Sequence, residues 1–415
     1  MLKRLLMLTL LFFSMPAAHA RIYILIDEAS NNKFPIAVPN FLTPSGSPSG
    51  AGSKYADLLI KDLTIAGIFN VLDESKFPSD DRDVEHIDFS KWKALDAQAL
   101  VKGVVSGSKL ELRLYDVAEQ KMILGKQYTV NAKNYADAVH RFTDSLMKEL
   151  TGTRGPFESK IAASCGRSFK RTIATFEMDG ERMGGVKSGL NAISPAFSPD
   201  GGSVAFTAFN SRYPEVYING RQVTKFQSTT ITPAWVPGGK GLVLASAKSG
   251  DTELYLVSTG GRVLSQITRS PNIDVSPTVS PDGGEVVFAS ERAGGLHLFR
   301  SAIGGGGASR LTYTGYQNDQ PDWSPDGSKI IFTSRDQGAF DIFVMEADGS
   351  NIQRLTRGEG NNEAPTWSPD SRYVAYASSR GGLMVMLVDG NAQTLIPKSA
   401  GCINPDWGPW LTQEE

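Results

Sequence analysis

Three sets of residues in this 415-residue chain could do chemistry: histidines, a recurring aspartate and two cysteines. Beyond residue 20 the histidines are His86, His140 and His297, far apart in sequence and without a shared local spacing. No HxxEH-like or CxxC metal spacing occurs, and no G-x-S-x-G nucleophile elbow. His140 falls on an amphipathic helical pattern and reads as structural. Asp200, Asp282, Asp326 and Asp370 each follow a Ser-Pro pair, where Asp serves a turn. A calcium site would need more carboxylates than one such turn offers. Asp322 and Asp406, each in a Pro-Asp-Trp triplet, are weak candidates for carboxylate chemistry. The run Gly304–Gly307 has no helix after it, so it reads as a hairpin loop and not as a phosphate cradle. No catalytic residue, metal or cofactor is expected.

The elements that carry these aspartates repeat. Gln320–Arg335 reads QPDWSPDGSKIIFTSR, and the chain rewrites it from Ala364 as APTWSPDSRYVAYASSR. The proline of that pattern recurs at Pro195, Pro233, Pro277, Pro321, Pro365 and Pro405, a period near 40 that marks a solenoid or propeller. Ser324-Pro325-Asp326-Gly327 suits a type I turn. Lys329–Ser334, Asp341–Met345 and Gln353–Thr356 follow as β-branched and aromatic strands, without helical periodicity. Four short antiparallel strands per repeat make one propeller blade. The sixth copy, NPDWGPWL, lies too near the C-terminus for strands to follow it. Lys160–Cys165 aligns with KIIFTS and Thr172–Met178 with DIFVM, so residues 159–188 supply the missing three strands and close a ring of six blades.

Closure brings the cysteines together. Cys165 occupies the position of Ser334, and Cys402 that of Asn318. If Trp323 pairs with about Ile330, Asn318 lies opposite about Arg335, which puts Cys402 close to Cys165. A disulfide there is expected to staple the ring; two buried free thiols are the alternative.

Residues 1–20 read as a signal peptide: Lys3 and Arg4, an apolar run from Leu5 to Met15, then Ala18-His19-Ala20 as a cleavage site. A short membrane anchor is the competing reading. The chain carries a formal charge of −2, so loss of Lys3 and Arg4 leaves −2 − 2 = −4. No basic block remains, which argues against a nucleic-acid partner. With 40% hydrophobic and 21% charged residues the composition is that of an ordinary globular protein. Residues 34–155 do not repeat and read as an α+β domain. Its strands are Phe34–Val38, Phe69–Leu72, Leu100–Val105, Leu110–Val117 and Met122–Val130. Its helices are one capped by Ser53 and running through Ala66, and another over Tyr135–Leu150. Thr151–Pro156 is the hinge into the propeller, residues 156–415. Residues 21–33 form an extended leading segment. Within it Ile22, Ile24 and Ile26 alternate with Tyr23 and Leu25, so both faces are apolar. It is either a detachable interaction strand or a permanent first strand of the domain.

The Pro-x-Trp-Ser-Pro-Asp-Gly repeats with IxFxS strands resemble the PD40 propeller repeat. The whole order is similar to the TolB family of the Tol–Pal system: leader, RIYILID, an α+β domain ending in LTGTRGPFESKIA, and a propeller ending in NPDWGPWL. The resemblance implies a monomeric periplasmic scaffold, not embedded in the membrane and not an enzyme, that supports outer-membrane integrity and invagination at division. A TolA-like inner-membrane protein would bind Arg21, Ile22, Tyr23, Ile24, Leu25, Ile26 and Asp27. A Pal-like peptidoglycan-associated lipoprotein would bind the loops before the Pro-x-Trp strands, at Thr229, Thr230, Asp274, Val275, Asn318 and Asn362. The other class is a periplasmic propeller hydrolase or lyase using channel carboxylates.

Overall fold

The computed structural model describes residues 33–79, 85–186, 189–210, 212–335, 338–358 and 360–412. The leader and the segment Arg21–Asp27 lie outside the described residues. The front domain runs β1 (Phe34–Ala37), α1 (Gly50–Ala66), β2 (Phe69–Val71), α2 (Phe89–Lys93), β3 (Ala99–Ser106), β4 (Lys109–Asp116), β5 (Lys121–Thr129) and α3 (Tyr135–Thr151). The sheet order is β2-β1-β3-β4-β5. β1 pairs parallel with both neighbours, and β3 to β5 form an antiparallel meander. α1 and α3 share one apolar core with the sheet, and Tyr55 stacks on Tyr135 at 5.0 Å.

α1 starts four residues earlier than the apolar spacing suggests. Ser49 is the cap, its hydroxyl accepting from Gly52 N at 3.1 Å, while Ser53 turns away to donate to Asn40 at 2.6 Å. The two early glycines hid this start, since glycine is a poor helix former. Gly52 is there because a Cβ would sit 2.2 Å from the Phe41 carbonyl oxygen.

The propeller has six four-stranded blades. Blades one to five open with the inner strands Ala192–Phe197, Thr230–Trp235, Asp274–Val279, Gln317–Trp323 and Asn362–Trp367. In the sixth, Cys402–Trp407 pairs with Ile161–Arg167, which continues to Lys170–Phe176 and Arg182–Val186, so both ends of the repeat region close the ring as expected.

Every inner strand carries a β-bulge immediately before its proline. The bulged residues Ser194, Thr232, Ser276, Gln320, Ala364 and Asn404 all have φ between 48° and 53°. Proline has no N–H for a ladder and disfavours the right-handed helical region in the residue before it, so a bulge is where it fits an otherwise paired strand. The bulge corrects the expected register. Trp323 does face Ile330, but the shift puts Asn318 opposite Ser334 and not Arg335. In the closing blade the same shift sets Cys402 directly across from Cys165, and the two form a disulfide.

Each repeated Asp is consumed by its turn. In blade four Ser324 Oγ donates to Asp326 at 2.6 Å, Gly327 N donates to Ser324 O at 2.8 Å, and Lys329 N donates to Ser324 Oγ at 2.9 Å. Ser198–Asp200 and Ser280–Asp282 repeat the first of these bonds.

Candidate partner-binding faces

Strand direction sorts the connections onto two faces. The turns after the inner strands, such as Ser324–Gly327, lie at one end of every blade. The hairpins between second and third strands, and the connectors between blades, lie at the other. The front domain sits on the turn face, against blades five and six. Tyr373 donates its hydroxyl to Ala66 O at 2.9 Å, and Gly67 abuts Ala392. The Arg372 guanidinium reaches Thr151 Oγ1 at 3.0 Å and Thr153 O at 3.2 Å. Arg154 spans to Glu158 at 2.6 Å and to Thr412 O at 2.9 Å. One apolar core runs through this joint, from Leu59 and Phe142 to Tyr373, Phe176 and Trp407.

The connector face is the one the front domain does not cover. Five of the chain's exposed large apolar residues gather at this end of the blades: Phe169 (88% exposed), Phe209 (45%), Ile273 (37%), Tyr313 (73%) and Tyr316 (76%). These five come from several blades and share the one end of the ring that the front domain leaves uncovered.

Beneath that rim lies a buried polar belt, and the residues expected from the sequence to bind a lipoprotein fall in it. Thr230, Asp274, Asn318 and Asn362 are 0–2% exposed, at the start of the inner strands and not in loops. Thr230 shares a hydrogen bond with Ser246 at 3.1 Å. Asp274 takes Arg292 at 2.7 Å, and Asn318 donates to Thr314 O at 2.9 Å. Thr229 and Val275 beside them are half-buried. The expectation that these positions lie in loops is therefore corrected for Thr230, Asp274, Asn318 and Asn362, which belong to the strands. All four side chains are buried, those of Thr230, Asp274 and Asn318 in hydrogen bonds or an ion pair, and the accessible groups are the neighbours Ile273 and Tyr316.

A second repeated signal explains the belt. Thr224, Thr268, Thr312 and Thr356 each lie two residues past a fourth strand, and each hydroxyl accepts a backbone N–H of the third strand of its blade at 2.9–3.0 Å. Thr268 and Thr356 donate to Glu253 at 2.6 Å and Asp341 at 2.8 Å, the acids that open those strands. His297 holds the matching place in blade three, 3.1 Å from Asn318. It is structural, and His86 is exposed. The triplets QVT, QIT and RLT are the trace of this belt in the sequence.

From the turn face the channel opens as a funnel of about 520 Å³, lined by the six repeat prolines and by Asp322 and Asp406. These two aspartates are interblade clamps. Asp322 accepts from Trp367 N at 2.9 Å and Asp406 from Phe197 N at 2.7 Å, across the ring closure. Thr278 and Thr366 do the same for Trp323 and Trp407. Burial among the blades pushes the Asp322 carboxyl up to about 6. The same burial, with Asp322 adding repulsion, pushes Asp406 up to about 8. Both keep some surface toward the channel.

A closed six-bladed propeller with a helix-and-strand domain clasped to two of its blades defines the class of fold. Its turn face carries its own domain over two blades, and its connector face is uncovered and bears exposed aromatic residues. The family described as the TolB beta propeller domain matches residues 147–411, and the TolB amino-terminal domain matches residues 22–123. The chain belongs to the TolB family. It is similar to the Tol-Pal system protein TolB of Desulfosudis oleivorans, 35% identical over 64% of this chain and 65% of that one. It is also similar to the Tol-Pal system protein TolB of Gluconobacter oxydans, 32% identical over 59% and 54%. The matched stretches thus span roughly half to two thirds of these relatives' length. The crystal structure of TolB from Acinetobacter baumannii superimposes with a TM-score of 0.80 at 25% identity, over 91% of this chain and 97% of that one. None of the described helices is long and apolar enough to cross a membrane.

Proposed function

We propose that this chain is a periplasmic, non-enzymatic adaptor of the Tol–Pal system. Its connector face docks a Pal-like peptidoglycan-associated lipoprotein, and its leading segment Arg21–Asp27 is captured by a TolA-like inner-membrane protein. So placed, it serves outer-membrane integrity and invagination at division. The observation that carries the reading is the rim of exposed apolar side chains on the uncovered face, Phe169, Phe209, Ile273, Tyr313 and Tyr316. Aromatic anchors of this kind supply much of the energy of protein interfaces. The channel carboxylates do not favour a hydrolase or lyase, since Asp322 and Asp406 already hold backbone N–H groups between blades.

Titration with the soluble Pal-like domain tests this. The double variant Tyr313→Arg/Tyr316→Arg is expected to lose roughly tenfold or more in affinity with an unchanged melting temperature, because both side chains are exposed. Deleting residues 21–27 is expected to abolish TolA binding and leave the propeller folded. Unchanged Pal affinity in the double variant removes the proposed face, and normal TolA binding by the deletion removes the proposed segment.

A further inference from the structure

The joint between the front domain and blade six contains a side-chain cluster that neither the fold nor the docking reading uses. His140, in the middle of α3, is 2% exposed. Its Nδ1 lies 2.8 Å from Asp62 Oδ2 of α1, and Asp62 also accepts from Thr143 at 3.0 Å. The other ring nitrogen, Nε2, is buried and makes no hydrogen bond. It points to blade six, where Glu177 Oε2 lies 3.5 Å away. Asp179 follows in the same hairpin, and ligand atoms of His140, Glu177 and Asp179 all lie within 4.8 Å of one another. All three residues are buried.

We propose that His140, Glu177 and Asp179 form a divalent-cation site that bolts α3 to the sixth blade. Three features carry the assignment. A carboxylate on Nδ1 is the partner that holds a metal-ligating imidazole in orientation and leaves its Nε2 lone pair for the ion, and Asp62 occupies that place. One imidazole nitrogen with two carboxylates is a ligand set that Zn²⁺ accepts, and a spacing of 3.5 Å between Nε2 and Glu177 suits two ligands each about 2.0–2.2 Å from one ion. The charges also ask for a cation: Asp62, Glu177 and Asp179 are buried together, and Asp179 Oδ2 has an ammonium, that of the partly exposed Lys61, 3.8 Å away. A dication bound to neutral His140 beside three carboxylates and Lys61 balances these groups. Asp179 keeps Oδ2 for the ion because Oδ1 accepts from Glu181 N at 2.9 Å. Sequence spacing could not show the site, since its ligands come from a helix and a hairpin far apart in the chain.

The test is calorimetric titration of chelator-treated full-length protein with Zn²⁺ alone, with the melting temperature followed in parallel. One saturable site and a raised melting temperature are expected. Asp62→Asn is expected to weaken Zn²⁺ binding about 10–100-fold by releasing the imidazole, and His140→Gln to abolish the site. Asp179→Asn keeps the turn acceptor and is expected to weaken binding as well. Long-range ¹H–¹⁵N spectra of His140 in the unaltered protein give an answer even where a variant fails to fold. Loss or displacement of the Nε2 resonance on Zn²⁺ addition supports the site. An imidazolium with both nitrogens protonated and unmoved by Zn²⁺ overturns it in favour of a plain ion pair, as does equal Zn²⁺ affinity in folded variants.

Discussion

Replacing Cys165 and Cys402 by serine is expected to lower the melting temperature of the propeller by about 10 °C, the largest single effect expected of any substitution in this chain. The bond joins the strand that begins the ring to the one that ends it, across a separation of 237 residues. In the loop-entropy account a closure of that length is nominally worth ~5 kcal/mol, an upper value because the account neglects residual structure in the unfolded chain. Blade six is otherwise held by the ladder of Cys402–Trp407 with Ile161–Arg167, by the Asp406–Phe197 clamp and by the joint core, so the variant should remain folded at moderate temperature. The check is thermal unfolding of the double variant beside the unaltered protein with and without reductant. Reduced protein should match the variant. A variant that melts with the oxidised protein would show that closure rests on packing alone.

The second large effect is pH-dependent. Asp406 sits with its carboxyl pushed up to about 8, against an ordinary value of 3.8. Below about pH 4 the carboxyl is protonated in folded and unfolded chains alike. Between about 4 and about 8 the folded state retains a proton that the unfolded state releases, so stability falls as pH rises through that window. Asp406→Asn removes the ionisation and keeps an oxygen to accept from Phe197 N. The variant should melt higher than the unaltered protein at pH 8 and with it at pH 4. A tenfold difference in proton affinity between the folded and unfolded chains corresponds to ~1.4 kcal/mol. Asp406 keeps an edge toward the channel and Asp322 titrates beside it, so the full difference is not realised and a gain of roughly 2 kcal/mol is expected. Unfolding curves at the two pH values decide the matter. A constant difference between the proteins would mean that Asp406 is not the titrating group.

How much of this was legible in the sequence depends on how local each signal is. The repeat prolines announced six blades because each blade rewrites one turn and one inner strand, and Pro405 near the C-terminus forced closure by residues 159–188. The register of Asn318 was one residue off because a bulge is a backbone event. Only the recurrence of proline at that position hinted at it. The start of α1 was misplaced because Gly50 is a poor helix former and Gly52 serves a close approach to Phe41 and not helix propensity. The sequence places the positions before the Pro-x-Trp strands at the end of the blades proposed for docking, but does not show which side chains are exposed there. Position before Pro-x-Trp locates the entry to an inner strand, and the pleat then buries Thr230, Asp274, Asn318 and Asn362 while exposing Tyr316 and Ile273. His140 read as structural from its helix, since nothing local links it to Glu177 and Asp179.

The adaptor account stands or falls on where its lipoprotein partner sits. Hydrogen–deuterium exchange of the full chain, with and without the soluble Pal-like domain, measures this directly. The account predicts added protection in the connectors and hairpins around Phe169, Phe209, Ile273, Tyr313 and Tyr316, with the Ser-Pro-Asp turns unchanged. Protection confined to the proline-lined funnel or to the front domain, with the connector face exchanging as before, would contradict it.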